Sequence, residues 1–253
     1  MGPVIVVTFR EAVRNRVLYL LLFFGVVIVL LSRIAGLLTV GDEMKVMQDL
    51  GLTVVALLDI LIAVFVGIEL VYKEIDKRTL YLILTKPITR DRFLLGKYLG
   101  LVLTLLVIHV AMTALLTVYL GLLGRWNPRL LVALYGTFLE VLVVTAVATM
   151  FSTWTTPILS GLFTLSVWVI GRGSRSLLAL ADVVQKKSPG LARLVKAVYY
   201  GLPNLDRMNL DAYAIHGVAL PPGYLLSITV AAGLYTAVML LLAVLLFQRR
   251  DFT

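Results

Sequence analysis

The stretch Glu69–Gly100, ELVYKEIDKRTLYLILTKPITRDRFLLGKYLG, decides the fold. It gathers Lys73, Lys77, Arg78, Lys86, Arg90, Arg92 and Lys97 with Glu69, Glu74, Asp76 and Asp91, between two strongly apolar runs. Charge concentrated between apolar runs reads as a water-exposed connection between two membrane spans. Working outward, the whole chain of 253 residues is 60% hydrophobic and only 15% charged, with a mean hydropathy of +1.00. Soluble domains carry about 25% charged residues, so the chain is read as an all-α, polytopic membrane protein. The net charge of +9 does not point to nucleic acid, because the basic residues flank apolar runs, where positive charge sets membrane orientation. The absence of cysteine excludes disulfides, thiol catalysis and sulfur-ligated metals. Two histidines far apart, His109 and His216, do not suggest a metal centre.

A span needs about 20 mostly apolar residues. Six stretches serve: Val17–Leu38, Gly51–Tyr72, Lys97–Leu123, Leu130–Ser152, the short Thr156–Gly171, and Tyr224–Phe247. Thr39–Leu50, Gly124–Arg129 and Thr153–Thr155 are read as brief loops. Ahead of the first span, residues 3–16 are expected to form an interfacial amphipathic helix, with Ile5, Phe9, Val13 and Val17 toward lipid and Arg10, Arg14 and Arg16 toward water. The first apolar run is too long for a cleaved signal and is read as an anchor. Six spans put both termini on one side. Twelve Lys and Arg lie on the side of the termini and of Glu69–Gly100, against four in the short opposite loops, so that side is read as cytoplasmic. Counting the long segment 172–222 raises the opposite side to eleven, but long segments weigh little in this rule. That extracytoplasmic segment contains two short amphipathic helices, RSLLALADVVQKK and GLARLVKAVYY, separated by Ser188-Pro189-Gly190, and then an irregular LPNLDRMNL. These helices either lie on the outer face or re-enter the bilayer.

Within the charged stretch, Glu74–Thr85 suits an amphipathic helix, with Ile75, Leu80, Leu82 and Ile83 opposite Asp76, Lys77 and Arg78. Pro87 disfavours a helical Lys86, which bounds the helix at 74–86. Thr89 suits the N-cap of the next helix. Charge alone describes an ordinary solvated loop; the order of residues says more. The run Arg78-Thr79-Leu80, Leu84, Pro87-Ile88-Thr89-Arg90 and Leu95-Gly96-Lys97 resembles the signature of the type-two ABC transporter permeases, the six-helix exporter subunits. Arg78 stands where a glycine is common in that family. The amphipathic start, Leu202-Pro203-Asn204-Leu205 and the FQRRDF ending at Phe247–Phe252 extend the resemblance over essentially all of 1–253.

The resemblance implies a single permease domain with no catalytic, cofactor or metal site of its own. It implies a partner ATPase in two copies, carrying the ATP and Mg, and a second permease subunit, as homodimer or heterodimer. It also implies a multi-pass protein of the inner (cytoplasmic) membrane, surrounded by lipid. Residues 74–86 would be the coupling helix, with Glu74, Asp76, Lys77, Arg78, Thr79, Leu80, Pro87 and Arg90 meeting the ATPase. The chain has no G-x-x-x-x-G-K-[ST] motif: Gly96-Lys97 is followed by Tyr98, and Asp91 stands where the first glycine is required. The expected function is therefore export of a substrate driven by another chain's ATP hydrolysis. The alternative is a mechanotransmission subunit that moves an extracytoplasmic partner.

Three ionisable residues fall inside spans: Asp59, His109 and Glu140, each about 12–20 Å from the nearer end. Groups at such depth are expensive unless paired or wet. They are read either as lining a polar path or as interhelical hydrogen-bond partners. Gly96-x-x-x-Gly100 and Ala63-x-x-x-Gly67 are spacings that permit close helix contact. Trp126, Trp154 and Trp168 are read as interfacial anchors.

Overall fold

A computed structural model describes residues 1–37, 42–76, 89–185 and 188–249. Its helices are α1 (Gly2–Val13), α2 (Arg16–Leu37), α3 (Glu43–Asp76), α4 (Arg90–Leu122), α5 (Arg129–Ser152), α6 (Pro157–Arg172), α7 (Ser174–Gln185), α8 (Pro189–Gly201), α9 (Asp211–His216) and α10 (Tyr224–Arg249). A single 3-10 turn, Leu205–Met208, lies between α8 and α9. No strand occurs among the described residues. The chain is an all-α polytopic membrane protein: α2, α3, α4, α5 and α10 are each long and apolar enough to cross a bilayer. The sixth expected span, α6, is apolar but has 16 residues, about 24 Å of helix against a hydrocarbon layer of about 30 Å.

Uninterrupted runs of Leu, Val, Ile and Ala produce the spans, and their ends follow the sequence reading closely, with two differences. The expected loop Thr39–Leu50 is mostly helix, because α3 begins at Glu43 rather than Gly51. Tertiary contacts carry the helix beyond its apolar part: Met47 is buried against Gly36, Gln48 Nε2 donates to the Arg125 carbonyl at 3.0 Å, and Arg125 pairs with Glu43 at 3.0 Å. At the opposite end α3 runs unbroken to Asp76, and α4 starts at Arg90 rather than Lys97. No glycine or proline interrupts the chain between Gly67 and Pro87, so no break separates the span from Glu74.

The bundle is centred on α3 and α5, whose spanning windows are 78% and 72% buried, while α2 and α10 are peripheral at 22% and 17%. The N-terminal helix turns back at Arg14–Asn15, where Asn15 Oδ1 accepts the Val17 amide at 2.9 Å and starts α2. The expected four-residue stripe therefore stops at Val13, since Val17 belongs to α2. It is Thr8 and Ala12 that are buried in α1. The Gly96/Gly100 spacing on α4 receives Val4 and Thr8, and a Cβ on Gly100 would lie 2.6 Å from Thr8 Cβ. Lys97, between them and buried, reaches Glu11 of α1 at 3.5 Å. At Ala63/Gly67 the approach is looser: among the described residues a Cβ on Gly67 would meet only Leu101, at 3.7 Å.

Candidate functional site

Three places carry the polar residues singled out in the sequence. The first is the connection between α3 and α4. Glu74 and Asp76 form the last turn of α3, and Arg90 is the first residue of α4. Thr89 precedes α4 in extended backbone and its carbonyl accepts the Phe93 amide at 3.1 Å, but its side chain makes no capping bond. Lys77, Arg78, Thr79, Leu80 and Pro87 lie outside the described residues.

The second is midway along these same two helices. Asp59 Oδ2 on α3 and His109 Nδ1 on α4 are 2.6 Å apart, and both residues are buried. Asp59 is sixteen residues from Glu43 and seventeen from Asp76, the middle of its helix. Its other oxygen, Oδ1, has no hydrogen-bond partner among the described residues. The His109 ring lies 5.4 Å from Phe138 of α5, so the pair sits where α3, α4 and α5 converge. The two atoms are within hydrogen-bond distance, and which of them donates depends on the imidazole tautomer.

The third surrounds Glu140 on α5, which does not join that pair. Trp168 Nε1 on α6 donates to Glu140 Oε1 at 2.7 Å. Arg172, the last residue of α6, stands 4.0 Å from Glu140 and 3.5 Å from Asp211, with its guanidinium 6.0 Å from the Trp168 ring centre. One turn further, Arg175 pairs with Asp206, and Ser174 Oγ donates to Asn204 Oδ1 at 2.7 Å. Asn204 Nδ2 in turn donates to Tyr199 OH at 3.1 Å. Burial raises the carboxyls of Asp206 and Asp211 above their ordinary range, against the opposing pull of Arg175 on Asp206 and of Arg172 on Asp211.

This network holds residues 202–216 against the bundle. A Cβ on Gly136 would lie 2.2 Å from the Met208 carbonyl, and one on Gly171 2.7 Å from the Pro203 carbonyl. Both glycines are small because backbone passes directly over them. Trp168 is thus a donor to a buried carboxylate, not simply an interfacial anchor; Trp126 and Trp154 remain substantially exposed. The sequence carried one unused signal for this: Glu140 in one span and Trp168-x-x-x-Arg172 at the end of the next supply an acid with two donors one helical turn apart.

No group of three or more His, Asp or Glu among the described residues could hold a metal. What the arrangement can do is mechanical: polar contacts fix α3 to α4 and α5 to the segment beyond α6. Residues 4–252 match the family model described as ABC-2 family transporter protein. No curated protein matches the chain.

Proposed function

The chain belongs to the ABC-2 transporter family, as a non-catalytic transmembrane subunit of an ABC transporter, and from that premise we propose that it couples ATP hydrolysis by a separate ATPase to export of a substrate. The observation that carries this reading is the continuity of α3 and α4 with the charged connection, together with the Asp59–His109 bond that ties the two helices at mid-span. A helix of 34 residues is about 51 Å long and transmits displacement along its axis. An ATPase that grips residues 74–90 and moves them would drive α3 and α4 together. Because α3 is packed against α5, the movement would reach the polar network around Glu140.

In this reading Glu74, Asp76, Lys77, Arg78, Thr79, Leu80, Pro87 and Arg90 face the ATPase on the cytoplasmic side, where both termini also lie. Two ATPase copies carry ATP and Mg, and a second permease, identical or related, completes the path. The mechanotransmission reading draws support from residues 202–216, which Arg172 at the end of α6, Asn127 just before α5 and Tyr224 at the start of α10 tie to the span ends through Asp211 and the carbonyls of Ala214 and Arg207, and which would move with them. Charge reversal by Lys77→Glu with Arg78→Glu is the test. Loss of ATPase co-purification, or loss of ATPase stimulation by the permease, is expected; an unchanged complex with unchanged hydrolysis refutes the coupling assignment. Reconstituted transport of candidate substrates then separates export from mechanotransmission.

A further inference from the structure

The loop 123–128, between α4 and α5, is bonded to two other elements. Gly124 closes its turn with a φ of 66°, and the Arg125 amide donates to the Leu120 carbonyl at 2.8 Å, fixing the loop to the end of α4. On one side the loop grips the start of α3. The Arg125 guanidinium meets the Glu43 carboxylate at 3.0 Å, and the buried Gln48 donates to the Arg125 carbonyl, also at 3.0 Å. On the other side it grips α9. Asn127 Nδ2 donates to the Ala214 carbonyl at 2.8 Å, while Asn127 Oδ1 accepts the Arg129 amide at 3.1 Å. With both ends of its amide engaged, the Asn127 side chain has one orientation. The Arg129 guanidinium, 5.7 Å from the centre of the Tyr213 ring, adds a second contact to α9.

Contact between α3 and α9 themselves is opposed by charge. Burial raises the Asp211 carboxyl against the pull of Arg172, and the Asp49 carboxylate on α3 adds to that rise. Two carboxylates acting on each other disfavour close approach. Asp211 takes its cation from α6, where Arg172 stands 3.5 Å away. Among the described residues, the hydrogen bonds and ion pairs that join α3 to α9 run through the loop: from Glu43 and Gln48 to Arg125, two residues along the chain to Asn127, and across to Ala214. The two grips on Arg125 differ in kind. Gln48 is buried, whereas Glu43 and Arg125 are partly exposed, where water screens an ion pair and leaves it easy to shift.

We propose that loop 123–128 is a relay that sets the position of α9 from that of α3, with Glu43, Gln48, Arg125 and Asn127 as its positioning residues. α3 is a single helix of 34 residues, so its Glu43 end follows its Asp76 end. A displacement begun at the charged connection is delivered at Glu43, passes into the loop, and shifts α9 at the far end of the bundle. There α9 ends at Gly217 in a left-handed turn, with His216 and Val218 exposed. The output of the relay is therefore a movement of exposed surface. The step from an ATPase to α3 rests on the coupling reading above; the link from α3 to α9 does not.

Hydrogen–deuterium exchange of the full chain in lipid nanodiscs, without an ATPase, tests the relay. Glu43→Gln and Arg125→Ala each cut the exposed link and are expected to raise amide exchange within 211–216 several-fold. Arg125→Lys keeps the cation and is expected to stay near the parent rate. The double variant Glu43→Gln with Arg125→Ala is expected to exchange no faster than either single one, because both changes remove one link. Asn127→Ala is expected to raise exchange within 211–216 while leaving 43–48 unchanged, since it cuts the relay beyond α3. Unchanged exchange within 211–216 after cutting the link at Glu43 or Arg125 would overturn the proposal. A matching rise across 139–148 of α5 would also overturn it, because a loosened bundle, rather than a relay, would then free α9. The measurement needs no ATPase, so its failure is distinct from a failure of the coupling assignment.

Discussion

Asp59 and His109 meet side chain to side chain, 2.6 Å apart, in the middle of the two helices that enter and leave the charged connection. A bond at that position makes α3 and α4 a pair along their length, not only where the chain joins them. It also leaves one carboxylate oxygen of Asp59 without a partner among the described residues, so the pair is intolerant of losing either member.

His109→Ala strands a buried carboxyl, and a buried polar group left unsatisfied costs about 1–3 kcal/mol. Thermal unfolding in detergent is expected to show that loss. Adding Asp59→Leu removes the stranded group, and the double variant is expected to regain most of it. Equal destabilisation by the single and double variants would contradict the pairing.

Trp168→Phe keeps the ring and removes only the donor to Glu140. We expect a loss of about 1–3 kcal/mol, together with faster proteolytic cleavage within 173–216, because the network around Arg172 is loosened. Glu140→Gln keeps an acceptor for Trp168 and is expected to have a smaller effect on stability. Cleavage kinetics of the two variants give the comparison.

Gly136→Ala places a methyl 2.2 Å from the Met208 carbonyl, so one backbone must move. Overpacking of this kind costs about 1–3 kcal/mol. Gly233 on α10 has no atom of the described residues within 4 Å of an added Cβ, and Gly233→Ala is expected to stabilise by up to about 1 kcal/mol through helix propensity. Opposite signs for the two substitutions, measured by thermal unfolding, are the expected result.

Asp206 and Asp211 give a pH dependence whose sign follows from their raised carboxyls. Below the ordinary value of about 3.9 both folded and unfolded forms hold the proton. As pH rises above it the unfolded chain releases protons first, so stability falls until the folded carboxyls ionise and then levels off. Asp206→Asn with Asp211→Asn is expected to flatten this fall in the unfolding midpoint. An unchanged slope in the double variant would exclude these two groups as its source.

Much of the architecture was legible from local composition. The runs 130–152 and 224–247 nearly coincide with α5 and α10, because an uninterrupted apolar run of that length has few other outcomes in a bilayer. The two short helices after α6 were equally plain from their periodicity. Residues 43–50 were misread as loop because Met47 and Gln48 hold helix through contacts with Gly36 and Arg125, which local polarity does not report. Glu140 was recognised as a buried acid, but its partner was not, since Trp168 looked like a residue at a membrane boundary.

The sequence by itself determined that this is a helical membrane subunit of a transporter family, through apolar runs of spanning length and an ordered motif around Pro87 and Arg90. Only the tertiary structure decided which buried polar groups meet: Asp59 with His109, and Glu140 with Trp168 and Arg172. It also decided how deep the chain returns after α8, through Met208 over Gly136. Span formation depends on neighbours along the chain, whereas partner choice depends on the relative rotation and height of packed helices, which no local pattern specifies.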